Sequence, residues 1–304
     1  MDEKILYNKK SAEKYGWHPE WFGAIHNDEQ CVNKIMDFQR RFLLVADGMC
    51  GPTTYRYLWT ERESHIDELT EDVDHNEYII CNDTRVPIDW PKVILWGERG
   101  GMASRNGTYR KYGGKRNITM FINHWDVCLS SRRCHKVLQG NNDGSGGRNL
   151  SVHFYVDNDG SIWQTLDIND VAFHAGSRLW NNCSVGVEVS CAFDQKYQDW
   201  YVRNGFGKRP IWESVVHGET VGPHLGFYDI QIKALKALWK AIVSCTNVEW
   251  KTPVDDEGKM FPTRHPEASK GEFVGIVQHF QLKRSKIDVA GLDLPTLIEE
   301  AKNE

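Results

Sequence analysis

The chain has 304 residues, 40% of them hydrophobic and 26% charged, enough for one large domain or for a medium domain with a small appendage. Its net charge of −5 and pI near 6.2 give no global positive field, which argues against nucleic acid or an anionic membrane as a partner. The first residues lack an apolar core of signal-peptide length, and no run of about 18 apolar residues occurs, so the expectation is synthesis in the cytoplasm with no secretory signal and no membrane insertion.

In chain order, residues 1–62 have a helical pattern, with apolar Ile35, Phe38, Phe42 and Leu43 at helical spacing. Asp47-Gly48 and Gly51-Pro52 punctuate a turn, and Thr53 or Thr54 is placed to cap the next helix. The line FQRRF…ADGMCGPTTYRYL resembles the peptidoglycan-binding domain found beside many cell-wall hydrolases, although a helix-turn-helix packing piece would have the same texture. Residues 63–84 are acidic and poor in core signals, and read as a linker or surface-laid connector.

From 85 onward, short apolar runs alternate with Gly and Asn. Residues 93–96, 118–122, 152–156, 162–166 and 185–189 have strand length and β-branched content, and Asp157-Asn-Asp-Gly160 is a hairpin turn between two of them. Tyr228 to Val243 carries one apolar stripe of Ile232, Leu235, Leu238, Trp239 and Ile242, which predicts a helix, and a last helix is expected near 295–302. Strands interspersed with helices predict an α/β domain with a mixed central sheet flanked by helices over 85–304, beside a small N-terminal helical domain.

The eight cysteines read as reduced thiols, with Cys128, Cys134 and His135 conceivable as a structural zinc site that lacks a CxxC pair. A different constellation is chemically richer. His124 ends the apolar run 118–122 plus Asn123, His279 follows the apolar run 273–277, and Asp288 lies nine residues beyond His279. Two strand-end histidines and a carboxylate form an N/N/O set of the kind that holds a catalytic zinc with a fourth position open to water.

The order INHWD, SVHFYVDNDGSIWQ, AFHAG, NNCSVGVEVS, QHFQLKRSKID resembles the zinc-dependent N-acetylmuramoyl-L-alanine amidases of type 2, which share a fold with peptidoglycan recognition proteins. The resemblance implies one zinc ion held by His124, His279 and Asp288, with Glu188 moving the proton of the attacking water and Lys286 facing the developing oxyanion. It implies His174 and Asn182 in the substrate groove, to which Trp125 and His153 are assigned as well. The implied reaction is cleavage of the amide between the lactyl group of N-acetylmuramic acid and L-alanine in bacterial peptidoglycan.

The chain departs from the family pattern at Trp125-Asp126 after the first histidine and at Asp288-Val-Ala-Gly, where a proline is usual. Residues 192–272 read as an insertion, either a lip over the groove or a structural elaboration. A wall-binding unit without a secretory signal suggests a monomeric phage endolysin, made in the host cytoplasm and reaching the wall after a holin permeabilises the membrane. The alternative is a non-catalytic recognition protein of the same fold.

Overall fold

The computed structural model describes residues 1–69, 72–140 and 145–304, so part of the 63–84 segment lies outside the described residues. Helices α1 (Asp2–Tyr15), α2 (Glu29–Arg41) and α3 (Pro52–Glu63) build the N-terminal unit. α2 starts where the Asp28 side chain accepts from Cys31 N, and it buries Cys31, Val32, Ile35 and Phe38 on one face. The cap of α3 differs from the expectation. Gly51 is its N-cap and Pro52 its first residue, a position that lacks an intrahelical acceptor for an N–H anyway. Thr54 is instead buried, and its hydroxyl accepts from Gln39 Nε2 at 3.1 Å.

Gln39 explains much of the N-terminal motif. Its Nε2 also donates to Asp47 Oδ1 (2.8 Å) and Met49 O (3.0 Å), and its Oε1 accepts from Gly48 N (2.8 Å). The Gln, Asp-Gly and Thr of the motif are therefore spent on pinning the 43–51 loop against α2 and α3. Gln39 itself is buried.

The segment expected to be a linker ends in a hairpin of β1 (Tyr78–Cys81) and β2 (Thr84–Pro87), so the expected boundary at 85 falls inside paired strands. Ile79 is fully buried, and Gln164 clasps Ile80 through both its backbone groups (2.8 and 2.7 Å). One buried side chain and a backbone clasp outweigh the acidic composition that suggested a linker.

Strands β3 (Val93–Leu95), β4 (Tyr109–Arg110) and β5 (Met120–Trp125) follow, then α4 (Ser131–Gln139), β6 (Phe154–Val156), β7 (Ile162–Gln164), β8 (Val171–Ala172), α5 (Arg178–Cys183) and β9 (Ser184–Val189). After α6 (Gln198–Arg203) come the hairpin β10 (Ile211–Val216) and β11 (Glu219–Leu225), α7 (Asp229–Cys245), α8 (Pro266–Lys270), β12 (Gly275–Gln278), α9 (His279–Leu282) and α10 (Leu294–Asn303). The central sheet has the order β12-β5-β9-β6-β7-β3, parallel except for the antiparallel β6–β7 hairpin. β5, β9 and β12 are buried along their whole length, as expected for strands covered on both faces. The expected α/β fold with a mixed sheet flanked by helices is what forms.

The 192–272 stretch is not one insertion. It contains α7, whose Leu235, Leu238, Trp239 and Ile242 are completely buried and whose Trp239 Nε1 donates to Asn123 Oδ1 of β5 (3.2 Å). This helix covers the sheet and belongs to the core.

The N-terminal unit shares that core. Trp17, Ile35, Tyr55 and Leu58 belong to one apolar cluster with Phe121, Phe154 and Trp239 of the catalytic part. Arg133 of α4 donates to Glu68 Oε2, to Glu63 O and Oε2, and to the carbonyls of Ile66 and Asp67, all at 2.6–3.2 Å. Trp200 Nε1 adds a bond to Ile66 O (2.8 Å), and Thr60 Oγ1 one to Val127 O (2.8 Å). Among the described residues no helix is long and apolar enough to cross a membrane.

Candidate active site

Strand register assembles the site. β12 runs parallel to β5 with Gln278 opposite Asn123, so His279, the next residue, arrives beside His124. β9 flanks β5 on its other side with Glu188 opposite His124. The chain then loops back, and Phe280 N bonds to Asp288 O (3.0 Å), returning Asp288 to the two histidines.

The three side chains converge on one point. His124 Nδ1 and His279 Nδ1 are 2.9 Å apart, and Asp288 Oδ2 is 3.2 Å from the first and 2.8 Å from the second. All three residues are buried. Burial opposes ionisation of Asp288, yet His279, His124 and Lys286 together hold its carboxyl well below the ordinary range. Burial and the neighbouring His279 push the His124 pKa down, which favours the neutral imidazole that a metal requires. Two imidazole nitrogens and one carboxylate oxygen gathered at one point fit a divalent metal ion such as zinc.

Behind the triad lies His174. Its Nδ1 is 3.0 Å from His124 Nε2, and its Nε2 is 3.2 Å from Ser184 Oγ, which in turn donates to Trp180 O (2.6 Å). A partner on the second ring nitrogen fixes the orientation of a ligating histidine. The His174 ring lies directly on Gly186, where a Cβ would overlap it. The glycine of the Val-Gly-Val-Glu strand is thus a space for this ring.

A cavity of about 790 Å³ opens over the triad and is lined by His124, Trp125, His174, Glu188, His279, Lys286 and Asp288. Burial raises the Glu188 pKa, while Arg56 and His124 pull it back. Lys286 shows the mirror effect: burial lowers its pKa, with Arg56 and Arg148 adding to the shift against Asp288. A carboxylate able to hold a proton and an ammonium able to face an anion therefore share one chamber with the triad.

Two groove assignments fail on geometry. His153 is fully buried beneath the sheet surface, accepting from Gly186 N (3.2 Å) and facing Arg116 Nη2 and Asp170 O, and burial drives its pKa to about 3. It is a core residue that no substrate reaches. Asn182 sits on α5 outside the cavity, where its Oδ1 accepts from Arg110 Nη2 (2.8 Å). The insertion contributes only Phe193 to the cavity wall, so it forms no lip there among the described residues. His135 likewise stands apart from Cys128 and Cys134, which gather with Asp126 instead; Asp126 already accepts from Cys128 N, Cys191 N and Ser190 Oγ. All eight cysteines are free thiols.

Residues 114–284, more than half of the chain, match the family described as N-acetylmuramoyl-L-alanine amidase, Amidase_2. The chain belongs to that family. By class, this amidase is an enzyme that hydrolyses an amide of peptidoglycan. No curated protein matches the amidase in sequence. Similar solved structures include a selenomethionine derivative of AmpD, at 16% identity over 66% of this chain and 94% of that one, with a TM-score of 0.36. They include the Ph2119 endolysin from a Thermus scotoductus bacteriophage, at 16% identity over 65% and 92% of the two chains with a TM-score of 0.35. AmiD from E. coli, in complex with anhydro-N-acetylmuramic acid-L-Ala-D-gamma-Glu-L-Lys, is similar at 18% identity over 50% and 55%, with a TM-score of 0.30.

The matched region of the amidase excludes residues 1–113, yet the cavity does not. Arg56, Tyr57 and the 43–54 segment of the N-terminal unit line it together with the triad. Arg56 Nη2 is 3.6 Å from Glu188 Oε1. Arg148 enters the same chamber, its pKa lowered to about 10 by burial and by Arg56. Arg56 carries no signal in the sequence, because it gains its meaning only from a carboxylate far away in the chain.

Proposed function

We propose that this protein is a zinc-dependent amidase that cleaves the bond between the lactyl carbonyl of N-acetylmuramic acid and L-alanine. The observation that supports this reading most is the convergence of His124, His279 and Asp288 at one end of a cavity that also holds Glu188 and Lys286. A zinc ion on that triad supplies Lewis acidity and lowers the pKa of water at its open position to roughly 7.

The chain's own residues do the rest. Glu188 takes the proton of the attacking water and returns it to the L-alanine nitrogen as the C–N bond breaks, so that the products are a lactyl carboxylate and a free amine. Lys286 places its charge near the oxygen of the tetrahedral intermediate, an arrangement typically worth a few kcal/mol. His174 holds the His124 ring in place, and Trp125 forms an apolar wall.

The biological setting we infer is host lysis by a phage endolysin, acting as a monomer on bacterial peptidoglycan after a holin has opened the membrane. The pairing of a wall-hydrolase family with an N-terminal unit that resembles a peptidoglycan-binding domain supports it. Digestion of intact peptidoglycan, with and without a zinc chelator, tests the reaction by mass spectrometry. Stem peptides beginning at L-alanine, with lactyl groups intact on the glycan and only when chelator is absent, are expected. Sedimentation with the wall and no covalent product would replace the amidase with a recognition protein.

A further inference from the structure

We propose that Arg56 of the N-terminal unit is a positioning residue of the active site, holding the Glu188 carboxylate toward the metal triad, so that the unit is a wall of the catalytic chamber rather than a detachable anchor. The inference rests on the amidase reading and deepens it.

Three observations carry it. First, Glu188 is 5% exposed on β9, between the fully buried Val187 and Val189, and the only cation within 4 Å of it among the described residues is Arg56. A carboxylate so enclosed needs a partner, and the catalytic part offers it no ion pair of its own. Second, the pair is incomplete. Arg56 Nε and Glu188 Oε2 are buried without hydrogen-bond partners, and the closest approach is 3.6 Å, longer than a direct hydrogen bond. Spare bonding capacity on both groups, facing a chamber of about 790 Å³, is what a water or a substrate amide would satisfy.

Third, Arg56 is fixed in place. Its neighbours Tyr55 and Leu58 are buried in the shared core, and Thr60, one turn along α3, bonds across to Val127 O. A side chain carried by a docked helix keeps its position relative to β9 without the freedom of a tethered domain. Arg56 and Tyr57 line the cavity beside Gln39, Asp47 and Thr54, whose mutual hydrogen bonds hold that wall of the unit together.

The test uses the full-length protein loaded with zinc and a soluble N-acetylmuramoyl peptide, with kcat and KM measured separately for the wild type, Arg56→Met and Arg56→Lys. Misplacement of a catalytic group by an ångström costs on the order of 10²-fold, so Arg56→Met is expected to lower kcat by about that factor with KM changed less than about threefold. Arg56→Lys, which restores a cation, is expected to recover at least half of the loss on a logarithmic scale. Metal content and melting temperature are read on each variant, and Arg56→Gln replaces the methionine variant if the latter melts early.

An active wild type with an equally active Arg56→Met variant overturns this inference and leaves the amidase reading standing. A lysine variant as slow as the methionine one, at unchanged melting temperature, overturns it too. A zinc-loaded wild type that cleaves nothing overturns the amidase reading itself, and this inference with it.

Discussion

His174 Nδ1 lies 3.0 Å from His124 Nε2, while the opposite nitrogen of the His124 ring points at His279 and Asp288. One histidine therefore steers another through a bond that the sequence spacing, fifty residues, does not suggest. Replacing the steering residue, His174→Phe, is expected to weaken zinc binding roughly 10–100-fold, measured by competition against a chelator of known affinity. An unchanged affinity would make His174 a groove residue only.

Gly186→Ala tests the same support from the backbone side. The added methyl overlaps the His174 ring, so the ring must move and His124 loses its partner. The expected result is a loss of zinc affinity comparable to that of His174→Phe, with the two losses far from additive in the double variant. Additive losses would mean that the glycine acts elsewhere.

Metal binding and turnover separate within the chamber. His279→Ala and Asp288→Ala each remove a ligand atom and are expected to leave the protein without stoichiometric zinc. Glu188→Gln keeps the triad intact and is expected to retain zinc while losing about 10²–10⁴-fold in kcat. Elemental analysis beside kinetics distinguishes the two classes. Full activity in the glutamine variant would remove Glu188 from the proton transfer.

The docking of the N-terminal unit is concentrated on Arg133, which donates five hydrogen bonds to the 63–68 segment. Arg133→Met removes the donor to three carbonyls and to the Glu63 and Glu68 carboxylates, while Ile66 O keeps Trp200 and Glu68 keeps Ser130. The expected cost is about 3 kcal/mol in chemical unfolding, at the low end for a broken buried pair because Glu63 and Glu68 are partly exposed. A two-step unfolding curve would additionally reveal the unit coming away first.

Asp157 makes stability depend on pH. Burial, helped by Asp159, lifts its pKa to about 7 from an ordinary 3.8. The folded state then holds the proton more tightly than the unfolded chain, so this residue's contribution is full below pH 3.8 and is lost as pH rises through 7. Asp157→Asn keeps an oxygen to accept from Ser131 N and Asn158 N but cannot ionise. Its melting temperature relative to wild type is expected to rise between pH 5 and pH 8 and to be the higher of the two at pH 8. A difference that stays flat across that range would show that Asp157 does not titrate there.

What the sequence by itself determined is the part of the protein written in short-range pattern. The β-branched runs at 118–122 and 185–189, the Asp157–Gly160 turn and the stripe of α7 each encode an element through side-chain periodicity and turn chemistry, which depend on near neighbours. The histidines and aspartate of the triad were legible for a similar reason. The two histidines stand near the ends of buried strands, and the motif order linked them to Asp288.

Only the tertiary structure decided which polar residues face the chamber. His153 and His174 look alike in sequence, yet strand register puts one under the sheet and the other against His124. Composition does not reveal long-range burial, which clasps Ile80 of the acidic 63–84 segment with Gln164 and makes the 192–272 stretch a structural elaboration, with Trp239 seated on Asn123. Arg56 is the plainest case. Its charge means little in α3 until the packing of two units sets it 3.6 Å from Glu188, and no local rule relates residues that meet only across a shared core.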